Sequence, residues 1–470
     1  MKVVMLGNDT KEEIEKRLQV VASAGNLSRA NGTVTQVFES RNDYDANLKL
    51  ARAVVGYGHK SIAEHDYLVF ALEDVTPIVE QTLIGYRLTS FTIKSRRNVD
   101  FRNVGFYVPD FKDKDGNVLE NNDRLKEEYS NYMKSLFEKY GELVDEQIPI
   151  EDCRYILPYS YHSNIIMGCD CNEFLSMTSD LLYGKLSKID ELKELGEKFK
   201  AMILEKAPYL SRALEAENNK EYYNEQFSYL DDLINITDNK LLDSANMTNY
   251  TSNADTEVLC NIIMSRYQVS RKKAYDILNE IKEIDSDIES KLMKSLFSSK
   301  NQRELEQVSF SFELPISLAV LTHITRHRMH SLLVPDFVPM WDLGNYITPK
   351  SVSKNHKEEY EQIFENNALM YEYFKNQGTR EEDLVYFYLS GNVCNIYTTM
   401  NARTLKWISR MRCCNKAQWE IRALVNDMVK QASEVAPLIG KGLGPYCKVE
   451  GFCPEGKDSC KERSIVIKKK

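Results

Sequence analysis

The chain has 470 residues, 61 lysines and arginines against 70 aspartates and glutamates, a formal net charge of -9, and 43% hydrophobic residues. This is an ordinary globular composition with enough chain for two cores, and it excludes a protein that coats nucleic acid, whose domains are basic on at least one face. No run of about 18 apolar residues is present, so no membrane-spanning helix is expected.

Lys2 to Leu6 predicts a short buried strand; the apolar run at Met1–Gly7, closed by Asn8-Asp9, is too short for a signal peptide. Thr10 to Ala24 has helical apolar spacing with Thr10 as N-cap, and Asp43 to Val55 predicts a second helix. Gly58-His59-Lys60-Ser61-Ile62-Ala63-Glu64-His65 then leads into Tyr67-Leu68-Val69-Phe70-Ala71-Leu72, a strand by composition. Pro77 suits the first turn of a helix running toward Arg87. A polar loop at Asp110 to Asn121 precedes helices near Asn122 to Leu143 and Asp170 to Leu182.

The second half repeats this plan. Lys126-Glu127-Glu128-Tyr129 returns as Lys357-Glu358-Glu359-Tyr360, and the same offset of 231 pairs Glu151-Asp152 with Glu382-Asp383, Tyr155 with Tyr386 and Asn164 with Asn395. Met167 pairs with Met400 at two residues' slip. Upstream, Val308 to Phe312 followed by Pro315 mirrors the strand and Pro77, which sets Arg87 and Ser90 against Arg328 and Ser331. The chain reads as a tandem duplication with its seam in the polar stretch Glu215 to Asn239. Fused repeats imply an oligomeric ancestor and free each half to lose different residues.

Thr325-Arg326-His327-Arg328-Met329-His330-Ser331 is the most concentrated chemistry in the chain. Two guanidinium groups around an imidazole, beside the apolar segment Leu314 to Leu321, form a local cation knot in an acidic protein, and phosphate is the anion that matches the planar forks of arginine.

With Arg326-His327-Arg328-x-x-Ser331, Ser61 and Glu64-His65, and Asn401-Ala402-Arg403-Thr404-Leu405 running to Arg412 and Gln418-Trp419-Glu420-Ile421-Arg422, the chain resembles the flavin-dependent thymidylate synthases in both halves. In that family the signature continues past the serine with Asn-Glu-x-Ser-x-Arg-Tyr. Here the signature is divided. The first copy, Gly85 to Asn98, lacks Arg-His but keeps Ser95 and Arg97, whereas the second keeps Arg-His-Arg and departs at Leu332-Leu333-Val334-Pro335-Asp336. Arg154 faces Val385, while Asn401, Arg403 and Arg412 face Asp170, Asn172 and Leu181. Complementary loss of this kind is what a composite site predicts.

The resemblance implies that Arg326, His327, Arg328, Asn401 and Arg403, with Ser61 of the other half, hold FAD. It implies that Ser95, Arg96, Arg97 and Arg154 hold dUMP, mainly by its phosphate, with His323 lining the site and Arg412 against the uracil. A guanidinium there stabilises the ionised or enol-like pyrimidine and raises electron density at C5, so no cysteine nucleophile is needed. Methylenetetrahydrofolate and NADPH are the cosubstrates the family uses. Ile93 stands where the family has an acidic residue and Asn98 where it has an aromatic one, so action on another pyrimidine nucleotide is the alternative enzyme, and a non-catalytic flavin- or nucleotide-binding protein the alternative of another class.

Arg403 and Arg412 are nine residues apart, which sets them on opposite faces of an ideal helix at about 100° per residue. They must address different parts of a site, or the helix must break near Arg410. Ten cysteines without an export signal read as reduced thiols of a cytoplasmic protein. Cys447, Cys453 and Cys460, in a Gly/Pro-containing tail, are candidates for a zinc or iron-sulfur site, free thiols being the alternative. Cys169 and Cys171 read as a buried segment, and His59, His65 and His162 as loop polar groups.

The expectation is therefore an α/β (α+β) protein of two homologous domains, residues 1–220 and 221–440, each a small sheet flanked by long helices, with a cysteine-containing tail at 441–470. Two chains would pair as a homodimer that forms a pseudo-tetramer and acts on a small nucleotide, with no nucleic-acid or membrane partner.

Overall fold

Both halves of the chain build the same four-stranded antiparallel sheet. In the first, β1 (Lys2–Met5), β2 (Tyr67–Val75), β3 (Thr89–Ile93) and β4 (Ser163–Asp170) lie in the order β1-β2-β4-β3; in the second, β5 (Asn246–Tyr250), β6 (Ser309–Ser317), β7 (Ser331–Leu333) and β8 (Val393–Asn401) lie in the order β5-β6-β8-β7. The computed structural model describes residues 1–7, 9–215, 219, 233, 241–338 and 341–460. Most of the expected seam and the terminal Lys468–Lys470 lie outside the described residues.

Alternation decides which face is covered. Leu68, Phe70 and Leu72 of β2, and Phe310, Phe312 and Leu314 of β6, point one way and are fully buried. Strand register fixes the repeat residue by residue: Ser90 lies opposite Gly168, and Ser331 opposite Thr399.

The register also corrects two expected correspondences. Phe91 pairs with Met167 and Leu332 with Thr398, so Thr398, not Met400, is the counterpart of Met167. A two-residue slip returns a side chain to the same face, which is why both methionines are buried and look equivalent in sequence. Pro315 is not the counterpart of Pro77. It lies inside β6 opposite Asn395, past Glu313, the last β6 residue paired with β5, so its missing N–H leaves no strand bond unmade there. The helix Leu318–Thr325 starts three residues later, with Ser317 as N-cap, where the first repeat has Thr76 before Pro77–Ile84. A bulge in β2 between Leu72 and Val75, with Asp74 at φ 57, adds the residue that β6 lacks.

Matching caps anchor these two helices. Glu191 accepts from the Thr76 N–H at 3.0 Å and its hydroxyl at 2.6 Å; Glu420 accepts from the Ser317 N–H and hydroxyl, each at 2.7 Å. Both carboxylates are buried and satisfy the first orphan donors of their helix.

The chain forms two compact units. The first contains Met1–Asn239, Phe337–Gly344 and Thr348–Gly391; the second contains Lys240–Asp336, Asn345–Ile347 and Asn392–Lys470. The first unit thus includes the long helix of each repeat, Asn122–Asp145 and Lys357–Asn376. Tyr132 donates to Asn367 at 3.1 Å, and Arg124 to Tyr373 at 2.8 Å. Phe111, Tyr129, Phe374 and Phe387 form one aromatic cluster. Reciprocal bonds tie the repeats: Lys112 N–H to Asp383 at 2.9 Å, and Ser351 hydroxyl to Asp152 at 2.6 Å. The second unit carries the sheet β5–β8 with the helices Ala402–Arg412 and Trp419–Val435.

Candidate active site

The first unit gathers three arginines. After β3 the chain turns on Ser95, whose Oγ accepts from Arg97 N at 3.3 Å and Asn98 Nδ2 at 3.1 Å. That turn buries Arg96, which donates to Tyr161 Oη and pairs with the buried Glu80 at 3.5 Å. Arg97 Nε donates to Glu151 at 2.7 Å. Arg154 opens the 3-10 turn Arg154–Ile156 and is 2% exposed; its Nε donates to the Glu151 carbonyl at 3.1 Å.

The electrostatics of this cluster invite an anion. Burial, followed by repulsion from Arg96 and Arg97, pushes the Arg154 pKa down to about 10, so the group stays charged near neutrality. Its Nη2 is buried without a hydrogen-bond partner. Burial also raises the pKa of Glu80, which weakens it as a counter-charge. A buried guanidinium with an unfilled donor is the group that a phosphate oxygen satisfies.

The second unit holds the other constellation. Helix Leu318–Thr325 ends at Arg326, with His323 buried in its last turn. His327 N–H closes the turn on Ile324 O at 3.0 Å, and the His327 ring Nε2 accepts from Arg412 Nε, also at 3.0 Å. Burial, then Arg412, His330 and Arg326, push the His327 pKa down to about 3. The ring is therefore neutral, with its proton on Nδ1 and a lone pair facing the guanidinium. Asn401 caps Ala402–Arg412 by accepting from Thr404 N at 2.8 Å, and the Thr404 hydroxyl donates to Met329 O at 3.1 Å, so the helix is stitched to the Arg-His-Arg loop.

That helix runs unbroken through Arg410 to Arg412. Its two arginines take different partners, as their spacing requires: Arg403 pairs with Glu306, Arg412 with His327. In the first repeat, Tyr86 replaces His327 and donates to Asp180 at 2.6 Å, Glu173 accepts from Leu88 N at 3.1 Å, and Leu181 replaces Arg412. A tyrosine–carboxylate bond stands there where the second repeat has the His327–Arg412 pair.

The structure thus brings together Ser95, Arg96, Arg97 and Arg154 in one unit, and His323, Arg326, His327, Arg328, Asn401, Arg403 and Arg412 in the other. Ser61 is exposed in the 3-10 turn Lys60–His65 of the first unit. Cys169 and Cys171 are buried, as the sequence implies. Cys447, Cys453 and Cys460 build no ligand cage: among the described residues no group of three His, Cys, Asp or Glu side chains is placed to hold a metal. Glu80 escaped the sequence reading, and Glu420 was read only as part of a motif, without its cap on Ser317. A glutamate inside the apolar helix Pro77–Ile84 was the readable signal for the first, since a buried charge needs a partner.

The family described as thymidylate synthase complementing protein matches residues 12–208 and again 240–438. A flavin-dependent thymidylate synthase of Clostridium tetani is 33% identical over 200 residues, covering 38% of this chain and 80% of that protein. One of Geobacter sulfurreducens is 34% identical over 189 residues, with 38% and 80% covered. This chain belongs to the flavin-dependent thymidylate synthase family and carries the family domain twice. Among solved structures, a UMP/dUMP methylase PolB from Streptomyces cacaoi bound with 5-Br dUMP is 22% identical, with TM-score 0.37 and 43% of this chain and 91% of that one covered. ThyX from Helicobacter pylori complexed with FAD and dUMP is 19% identical, with TM-score 0.33 and 47% and 98% covered.

Proposed function

We propose that this chain catalyses the flavin-dependent reductive methylation of dUMP to dTMP, with methylenetetrahydrofolate as carbon donor and NADPH as reductant, at a composite site to which the two repeats contribute different residues. The observation that carries this reading is the division of labour: the unsatisfied Arg154 donor with Arg96 and Arg97 stands on the first repeat, and the neutral His327 with Arg412 on the second. Family membership supports the reaction class.

Ser95, Arg96, Arg97 and Arg154 hold the nucleotide phosphate, and His323 lines the pyrimidine end. Arg326, Arg328, Asn401 and Arg403, with Ser61, hold FAD, which supplies the redox step; the donor set fits its anionic diphosphate. Arg412, oriented through Nε by His327, lies against the uracil carbonyl and N3. Charge developing there is stabilised by a fixed cation, and C5 becomes nucleophilic without a covalent enzyme adduct. Two chains pair as a homodimer, four family domains in all, in a cytoplasmic setting.

The test is tritium release from 5-tritiated dUMP by purified protein with FAD, NADPH and methylenetetrahydrofolate. Release that depends on all three supports the proposal. A flavin-bound protein that releases none from dUMP but acts on another pyrimidine nucleotide would move the substrate, in line with Ile93.

A further inference from the structure

The family match ends at residue 438, and the segment beyond it is built onto the helix that carries Arg412. Gly444 N–H donates to the buried Ser409 Oγ at 3.0 Å. The Arg410 guanidinium lies over the Tyr446 ring, 4.8 Å from its centroid, and pairs with the Glu450 carboxylate. Tyr446 opens the short helix Tyr446–Val449, and Lys416 donates to Glu455 at 3.1 Å further along.

These contacts converge on one turn. The last carbonyls of a helix have no intrahelical partner, so a terminal turn frays unless tertiary contacts hold it. Arg412 is the final residue of Ala402–Arg412, and its guanidinium points only as steadily as that turn allows. Residues two apart are about 200° apart around an ideal helix, so Arg410 faces away from what Arg412 faces. The tail grips the back of the turn while His327 receives Arg412 at the front.

We infer that the tail segment Gly444 to Glu450 is a clamp that positions Arg412, with Arg410, Tyr446 and Glu450 as positioning residues; this rests on the role given to Arg412 under the proposed function. The clamp does not touch substrate. It holds the terminal turn in the geometry from which Arg412 meets the pyrimidine, and flavin binding at the start of the same helix is independent of it.

The experiment compares full-length protein with Glu450→Gln, Tyr446→Leu, Arg410→Lys and a chain ending at Pro445. Glu450→Gln, Tyr446→Leu and the truncation should lower kcat tenfold or more with KM for dUMP and flavin content within twofold. Hydrogen exchange at residues 409–413 should quicken at least tenfold, and Arg410→Lys should keep part of kcat. The clamp is overturned if exchange there is unchanged, if kcat stays within twofold, or if flavin content and melting temperature fall in step with kcat. Arg412→Ala separates the two claims: full turnover in that variant removes Arg412 from the mechanism, whereas an inactive Arg412→Ala beside fully active tail variants removes the clamp alone.

Discussion

Arg412 Nε and His327 Nε2 meet at 3.0 Å, joining the last residue of one helix to the centre of the Arg-His-Arg loop that follows another. The imidazole accepts and the guanidinium donates. One edge of Arg412 is thereby fixed, and the Arg-His-Arg loop and the candidate catalytic cation become a single mechanical piece.

Arg412→Ala should abolish tritium release from dUMP while leaving bound flavin intact. Removing a cation that stabilises developing charge costs about 10²–10³ in kcat where such donors have been removed elsewhere. Absorbance of the bound flavin and single-turnover rates check both halves of the statement, and an unchanged rate takes Arg412 out of the chemistry.

The depressed pKa of His327 sets a pH dependence. Its folded value, about 3, lies below the unfolded value near 6.5, so the unfolded state binds the proton more readily. The stability tied to this ring is complete above about pH 6.5 and falls as pH drops toward 3, by up to about 1.4 kcal/mol per pH unit. His327→Asn keeps an acceptor for Arg412 without a titrating proton. The melting-temperature advantage of the parent protein over that variant should shrink from pH 7 to pH 5; a constant difference contradicts the assignment.

Arg154 is a buried cation awaiting an anion, so its cost to stability and its value to binding separate. Arg154→Met fills similar volume without charge and should hold or raise the melting temperature, as replacing buried charge by apolar groups often does. A charged hydrogen bond of about 1.5–3 kcal/mol is lost, which should raise KM for dUMP by about 10–100-fold. Thermal melts and dUMP titrations read the two effects independently.

Separated halves should fail because the aromatic cluster is shared. Cutting the chain between the repeats strands Tyr129 and Phe111 of the first without Phe374 and Phe387 of the second, all from one compact unit. Each half expressed alone should be inactive and expose apolar surface to a dye, and co-expression should restore turnover. An active, monomeric single half contradicts the interlocked unit.

Much of this architecture was legible in the sequence, and the exceptions have physical causes. Thr10 caps its helix with a full capping box, Asp43 caps Tyr44–Gly56, and Asn122–Asp145 runs close to its predicted limits, because caps and apolar periodicity are local signals. Strands β3 and β7 were hidden because Thr89–Ile93 and Ser331–Leu333 are short and lie inside motif residues. Pro315 misled because a proline marks a helix start only where its missing N–H has no other outlet, and β6 past the end of β5 offers one. The cation sets were readable by type. Their pairing was not, since His327 and Arg412 are separated by 85 residues, and Arg97 and Glu151 by 54, distances that only the folded chain closes.

The central claim is that one functional site survives per chain, because the first repeat has Tyr86 bonded to Asp180 and Leu181 where the second has His327 and Arg412. Flavin content per chain, measured by absorbance after release from protein of known concentration at saturating FAD, tests it most directly. One FAD per chain is the predicted result; two per chain would mean that the first repeat still binds flavin, and would contradict the account.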